Sequence, residues 1–182
     1  MSEVFPLTRG FKKGYNPAEV DDFFARARAA YEGGIAAEKF SSPQVRNASF
    51  GLVRAGYETG LVDAALDRLE AAFVKRDRAD HMAVNGQQAW LERVANRATT
   101  LYPRMTRPEG ERFAHPKGLG YRVEDVDAFI EELAEYFDYG NDLVADDIRA
   151  VTFRAARNEK AYEEGVVDAY LARAIEILLA VE

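Results

Sequence analysis

Phe11-Lys12-Lys13-Gly14-Tyr15-Asn16-Pro17-Ala18-Glu19-Val20-Asp21-Asp22-Phe23-Phe24 is the stretch from which the rest of the chain can be read. Asn16-Pro17-Ala18-Glu19 reads as a helix start. Asparagine is a capping residue, proline at the first helical position lacks only an N–H that has no partner there, and glutamate stands where a capping box needs it. From Val20 onward, apolar residues fall at Val20, Phe23, Phe24, Ala27 and Tyr31. That spacing predicts one stripe along an amphipathic helix. Glycine before Tyr15 permits a positive φ or a close backbone approach. Tyrosine can bury its ring and keep its hydroxyl bonded.

The same design recurs. Tyrosine followed five residues later by Val-Asp occurs at Tyr15/Val20-Asp21, Tyr57/Val62-Asp63, Tyr121/Val126-Asp127 and Tyr162/Val167-Asp168. Gly14, Gly56 and Gly120 precede the first three tyrosines, and Ala161 the fourth, so the fourth turn is expected to be built differently. The stripe repeats as Val62, Leu66, Leu69, Phe73; Val126, Ile130, Leu133, Phe137; and Val167, Leu171, Ala174, Leu178. A phenylalanine lies upstream each time: Phe5 and Phe11, then Phe50, Phe113 and Phe153. The tyrosines are 42, 64 and 41 residues apart, which sorts the four segments into two pairs with an extra stretch between them.

The expected fold is all-α. Its unit is a short helix or loop, a Gly-Tyr turn and an amphipathic helix of about four or five turns, arranged as two pseudo-symmetric repeat pairs. Ser42-Pro43-Gln44-Val45-Arg46 and Asp147-Ile148-Arg149 read as the short helices, and Thr59 as the cap of the second long one. The expected divisions are residues 1–76, a first repeat pair; 77–112, a bridging helix near 87–102 followed by a proline-containing linker; and 113–182, a second repeat pair. The aspartates of the motif are expected near a helix dipole or a basic residue such as Lys13, Arg54, Lys117 or Arg157. All four Tyr/Asp sets thus read as scaffold. Trp90 docks the bridging helix on a core; the alternative is an anchor facing a partner.

The first segment resembles the N-terminal domain of DivIVA-type bacterial proteins: Phe11, basic Lys12 and Lys13, Gly14-Tyr15, then Val20-Asp21 and the apolar pair Phe23-Phe24. The second, from Val45 to Phe50 through Gly56-Tyr57, Val62-Asp63 and Leu66-Asp67-Arg68-Leu69, is similar to the repeated form in actinobacterial DivIVA-domain proteins. The resemblance covers about 120 of 182 residues, good in the first two segments, fair in the third and weak in the fourth. It implies a non-enzymatic bacterial cytoplasmic protein linked to cell division, septum placement or polar growth. It also implies inner-membrane contact through an aromatic-basic loop, which maps onto Phe11, Lys12 and Lys13. The long coiled-coil tail of the family is not expected, because no heptad pattern is sustained past any repeat.

Composition narrows the chemistry. The chain has 182 residues, 24 Lys+Arg against 31 Asp+Glu, and a net charge of −7, which argues against a duplex-DNA partner. Residues 1–112 carry 17 basic and 15 acidic side chains, whereas residues 113–182 carry 7 and 16. Such asymmetry suits docking or head-to-tail self-association. No apolar run reaches the roughly 18 residues a membrane span needs, and no secretory leader is expected. With zero cysteines, thiolate chemistry and disulfides are excluded. His81 and His115 are not at ligand spacing, and no phosphate-binding glycine motif or nucleophile elbow is present. No cofactor, metal or catalytic residue is therefore assigned. The expected function is a protein-interaction scaffold. Two further readings are a peripheral membrane adaptor using the Phe11 tip and a small-molecule-binding or catalytic protein with a pocket between the repeat pairs.

Overall fold

A computed structural model describes residues 4–140 and 142–182, so the first three residues of the N-terminal stretch lie outside it. The chain is mostly helical, 61% helix against 10% strand, and the expectation of an all-α fold is corrected by two small sheets. It divides into two compact units, Met1–Asp77 and Arg78–Glu182.

In the first unit, strand β1 (Lys13–Tyr15) leads into helix α1 (Pro17–Tyr31). A short helix α2 (Ser42–Arg46) precedes strand β2 (Leu52–Arg54), and helix α3 (Thr59–Ala98) follows. β1 and β2 are antiparallel, with Lys13 opposite Arg54, Gly14 opposite Val53 and Tyr15 opposite Leu52. α1 begins as its sequence demands, with the Asn16 side chain accepting from the Ala18 N–H at 3.1 Å. The expected capping box closes differently: the Asn16 N–H donates to the Gly51 carbonyl at 2.8 Å, while Glu19 accepts the Asn16 side-chain amide on Oε1 at 3.1 Å and the Gly51 N–H on Oε2 at 2.7 Å. Thr59 is the first residue of α3 rather than its cap; the Glu58 carbonyl accepts from Leu61 and Val62.

The two helical stripes meet. Val20 of α1 and Val62 of α3 are fully buried in one cluster with Tyr57. Ala27, Phe73, Phe40 and Val45 form a second cluster further along. Each such large apolar side chain removed from water contributes about 1.5–3 kcal/mol, and together these clusters hold the short sheet in place.

The second unit runs α4 (Tyr102–Met105), β3 (Leu119–Arg122), α5 (Val123–Tyr139), α6 (Ala145–Ala150), β4 (Ala155–Arg157), β5 (Ala161–Tyr162) and α7 (Glu164–Val181). Its sheet has the order β4-β3-β5. Leu119 pairs with Arg157, Gly120 with Ala156 and Tyr121 with Ala155. This register matches that of β1 and β2 position for position. Left-handed backbone follows both second strands, at Ala55 (φ 50°) and Asn158 (φ 52°). The fourth corner differs as expected: a 3-10 turn over Asn158–Lys160 makes the connection to Tyr162 two residues longer than that to Tyr57.

Gly14, Gly56 and Gly120 do not adopt positive φ. Their need is space. A Cβ on Gly14 would collide with the Tyr57 carbonyl oxygen, on Gly56 with that of Gly14, and on Gly120 with that of Tyr162. Of the two reasons a glycine could stand before the tyrosine, close backbone approach is the operative one.

α3 is longer than the expected four or five turns and continues through the stretch read as a bridging helix. It is interrupted at one residue, Gly86, whose φ of 83° and ψ of 167° are open only to glycine. The segment beyond Gly86 packs on α7, which explains why the last turn of α7, Ile177–Ala180, is apolar all round. The Tyr170 hydroxyl donates to the Leu101 carbonyl at 3.1 Å, and Arg97 pairs with Glu176 at 2.9 Å. Among the described residues no helix is long and apolar enough to cross a membrane.

Candidate functional site

Two features carry the residues singled out by the sequence: the signature tyrosines and aspartates, and the tip before β1.

The signature residues pair crosswise. The Tyr57 hydroxyl donates to Asp21 at 3.1 Å, and the Tyr162 hydroxyl donates to Asp127 at 3.0 Å. The complementary couples are Tyr15 with Asp63 and Tyr121 with Asp168. Within each unit, the tyrosine of the second segment therefore bonds the aspartate of the first, and the tyrosine of the first faces the aspartate of the second. The expected basic partners, Lys13, Arg54, Lys117 and Arg157, are not what these carboxylates meet. A tyrosine edge also rests on a phenylalanine each time: Phe5 on Tyr57, Phe50 on Tyr15, Phe113 on Tyr162 and Phe153 on Tyr121, with centroids 5.3–5.5 Å apart.

Depth separates the couples. Tyr57 and Tyr162 are buried, and Tyr15 and Tyr121 are half-buried. Burial, and then the Asp127 carboxylate that accepts its hydrogen bond, push the Tyr162 hydroxyl up to about 12. Burial also raises Tyr15 and Tyr121, helped by Asp63 and Asp168 respectively. The Tyr15, Tyr121 and Tyr162 hydroxyls are thus held protonated, a structural rather than a nucleophilic state.

The Asp127 couple has additions that the sequence did not disclose. Arg112 is 5% exposed, and its guanidinium donates to the Asp127 carbonyl and stands 3.7 Å from its carboxylate. The Gly110 N–H donates to the other carboxylate oxygen at 2.7 Å, and the Arg112 N–H donates to the Tyr162 hydroxyl at 3.1 Å. His115 stacks on the Tyr162 ring at 5.4 Å. In the first unit Val4 and Leu7 hold the places of Arg112 and His115: the Val4 N–H bonds Tyr57, and Phe5 and Phe113 follow in register. Nothing in local spacing marks Arg112, because its partners lie 15 and 50 residues away.

The tip is differently placed. Phe11 is 88% exposed, with the Arg54 guanidinium 5.8 Å from its ring centroid. Lys12 reaches Glu58 at 3.8 Å, and Lys13 lies opposite Arg54 across β1 and β2. The loop is braced from behind: the Thr8 hydroxyl donates to the Lys12 carbonyl at 2.9 Å, and the Thr8 N–H donates to the Gly56 carbonyl at 2.7 Å. An aromatic ring is thereby held in water among cations, with no core residue to cover it.

Trp90, the fourth candidate contact, is not on the surface. It is 1% exposed, and its indole N–H donates to the Ala180 carbonyl at 3.0 Å, so it serves the core of the second unit. His81 lies 5.6 Å from the Trp90 ring. Among the described residues no three His, Asp or Glu side chains group as metal ligands would. Neither a family model, nor a curated protein, nor a solved structure matches this chain.

Proposed function

We propose that the chain is a non-enzymatic interaction scaffold of DivIVA-like type, built as two pseudo-symmetric pairs of repeats and acting in bacterial cell division or polar growth. The observation that carries this reading is the crosswise Tyr–Asp bonding. The chemistry-bearing residues of the signature are consumed in locking each pair of segments, and the tip that remains outward is a contact device rather than a reaction centre. The resemblance of residues 11–24 and 45–69 to the DivIVA pattern supplies the cellular setting, a cytoplasmic protein acting at septum or pole. A fluorescent fusion expressed in a rod-shaped bacterium should concentrate at septa or poles and become diffuse in Phe11→Glu; a uniform wild-type signal would refute the assignment.

Phe11 favours a second reading, a peripheral membrane adaptor. An exposed aromatic ring beside Lys12, Lys13 and Arg54 suits an anionic lipid surface, although one such tip binds weakly unless several act together. Flotation with phosphatidylglycerol-containing vesicles decides it. Wild type should float, Phe11→Glu should not, and vesicles of phosphatidylcholine alone should capture neither.

A further inference from the structure

The two units part at a place where their segments otherwise run in step. In the first unit Phe40 stands two residues before α2, and its ring packs against Phe23 and Phe73 with centroids 5.5 and 5.6 Å away. The Arg26 guanidinium lies over that ring, 5.9 Å from its centroid. In the second unit Leu143 stands two residues before α6 and so takes the place of Phe40. Glu132, six residues after Val126 as Arg26 is six after Val20, takes the place of the cation. One unit closes this site with an aromatic ring under a guanidinium; the other lacks both and brings a carboxylate.

A groove of 450 Å³ opens there, with Phe129, Leu143 and Val151 on its apolar side and Glu132, Asp142 and Asp147 as its acids. Asp147 is engaged in starting α6, where it accepts the Val144 N–H at 3.0 Å. Glu132 and Asp142 are exposed, and among the described residues no cation pairs with either. The missing chemistry is displayed elsewhere in the same chain. Phe11 is 88% exposed, and the Arg54 guanidinium lies 5.8 Å from its ring, close to the spacing of Arg26 and Phe40. Lys13, opposite Arg54, has no carboxylate partner among the described residues. The charges agree: the first unit holds 11 Lys+Arg against 11 Asp+Glu, and the second holds 13 against 20. A cationic tip is therefore drawn to the second unit of another copy.

We propose that the Phe11 tip of one copy docks in the α5–α6 groove of another, its ring on Phe129 and Leu143, and Arg54 and Lys13 against Glu132 and Asp142. The inference rests on the reading of the tip as a contact device and names its partner. The incoming ring and guanidinium restore in the second unit what Phe40 and Arg26 supply in the first, a cation–π pair removed from water. The contact is heterologous. Each copy offers one tip and one groove, so association runs head to tail instead of ending at a two-fold dimer.

Sedimentation velocity on the full chain tests it. The wild-type sedimentation coefficient should rise with concentration up to about 0.5 mM, the range in which so small a contact fills. Phe11→Glu removes the tip, and Glu132→Arg restores the cation of the first unit. Each should weaken association about tenfold or more while circular dichroism stays native. Mixed in equal amounts, the two variants should form a dimer and nothing larger, because the intact tip of one chain fits the intact groove of the other and neither can extend. Should Glu132→Arg fail to fold, Leu143→Phe fills the groove from within and replaces it in every arm. A wild type that stays monomeric overturns the proposal, equally so if it floats on phosphatidylglycerol-containing vesicles and thereby gives the tip to lipid. Undiminished association of either variant, or a mixture that stays monomeric, overturns it as well. A fusion that localises through Phe11 in a chain that does not self-associate would end this inference and leave the scaffold reading standing.

Discussion

Asp127 and Asp63 hold the same place after a valine, yet they do different amounts of structural work. Asp127 is 3% exposed and faces the buried guanidinium of Arg112, whereas Asp63 is exposed and serves the half-buried Tyr15. Removing one partner of a buried charge pair strands the other in a low-dielectric site. Asp127→Ala should therefore cost about 3 kcal/mol or more. Asp63→Ala, which loses one polar contact near solvent, should cost about 1 kcal/mol or less. Urea unfolding of the two variants checks the contrast, and equal losses would refute the crosswise arrangement as drawn. The sequence made the aspartates visible as a recurring residue but not their partners. A spacing of five residues reports on one helix start, while the bonds span 35 and 36 residues.

At the level of elements, helix starts and apolar stripes were the legible part. Asn16-Pro17 and the valine-led stripes act within a turn or two, where sequence spacing and spatial spacing coincide. The strands were not legible. Lys13-Gly14-Tyr15 and Leu52-Val53-Arg54 are three residues each, too short for an alternating pattern to stand out. Their pairing is enforced instead by carboxylates at the helix starts, which bond the backbone just before each second strand. Glu19 accepts from Gly51 and Asp125 from Arg154, the latter also through the guanidinium Nε at 2.9 Å. The Arg154 side chain, bonded to Asp125, lowers that carboxyl to about 2 from its ordinary 3.8. A carboxyl lowered by folding contributes stability that is complete above its unfolded value and is lost as pH falls through its folded one. The stability difference between wild type and Asp125→Asn should therefore be constant above about pH 5 and shrink between pH 4 and pH 2. Thermal unfolding followed across that range tests it; a difference that grows on acidification would contradict the assignment.

For the molecule as a whole, the allocation of residues 78–98 matters most. Sequence reading treated them as part of a bridge, because their pattern belongs to no repeat. The fold places them in the second unit, where Trp90, Val94 and Leu101 are buried and the Trp90 indole bonds the last turn of α7. α7 needs that cover, since Ile177, Leu178, Leu179 and Ala180 leave it no polar side to turn outward. Trp90→Ala should accordingly cost about 3–5 kcal/mol, and Trp90→Phe about 1–3 kcal/mol through the abandoned Ala180 carbonyl. Circular dichroism melts of both variants measure the two losses, and a Trp90→Ala chain as stable as wild type would return the residue to the surface.

Crosswise locking also imposes parity. A solitary copy of the motif would present a tyrosine with no acid to receive its proton and an acid with no tyrosine to offer one. Lineages carrying this signature can then lengthen or shorten only by twos, and inherited change at position 15 should track position 63 rather than its sequence neighbour at 21.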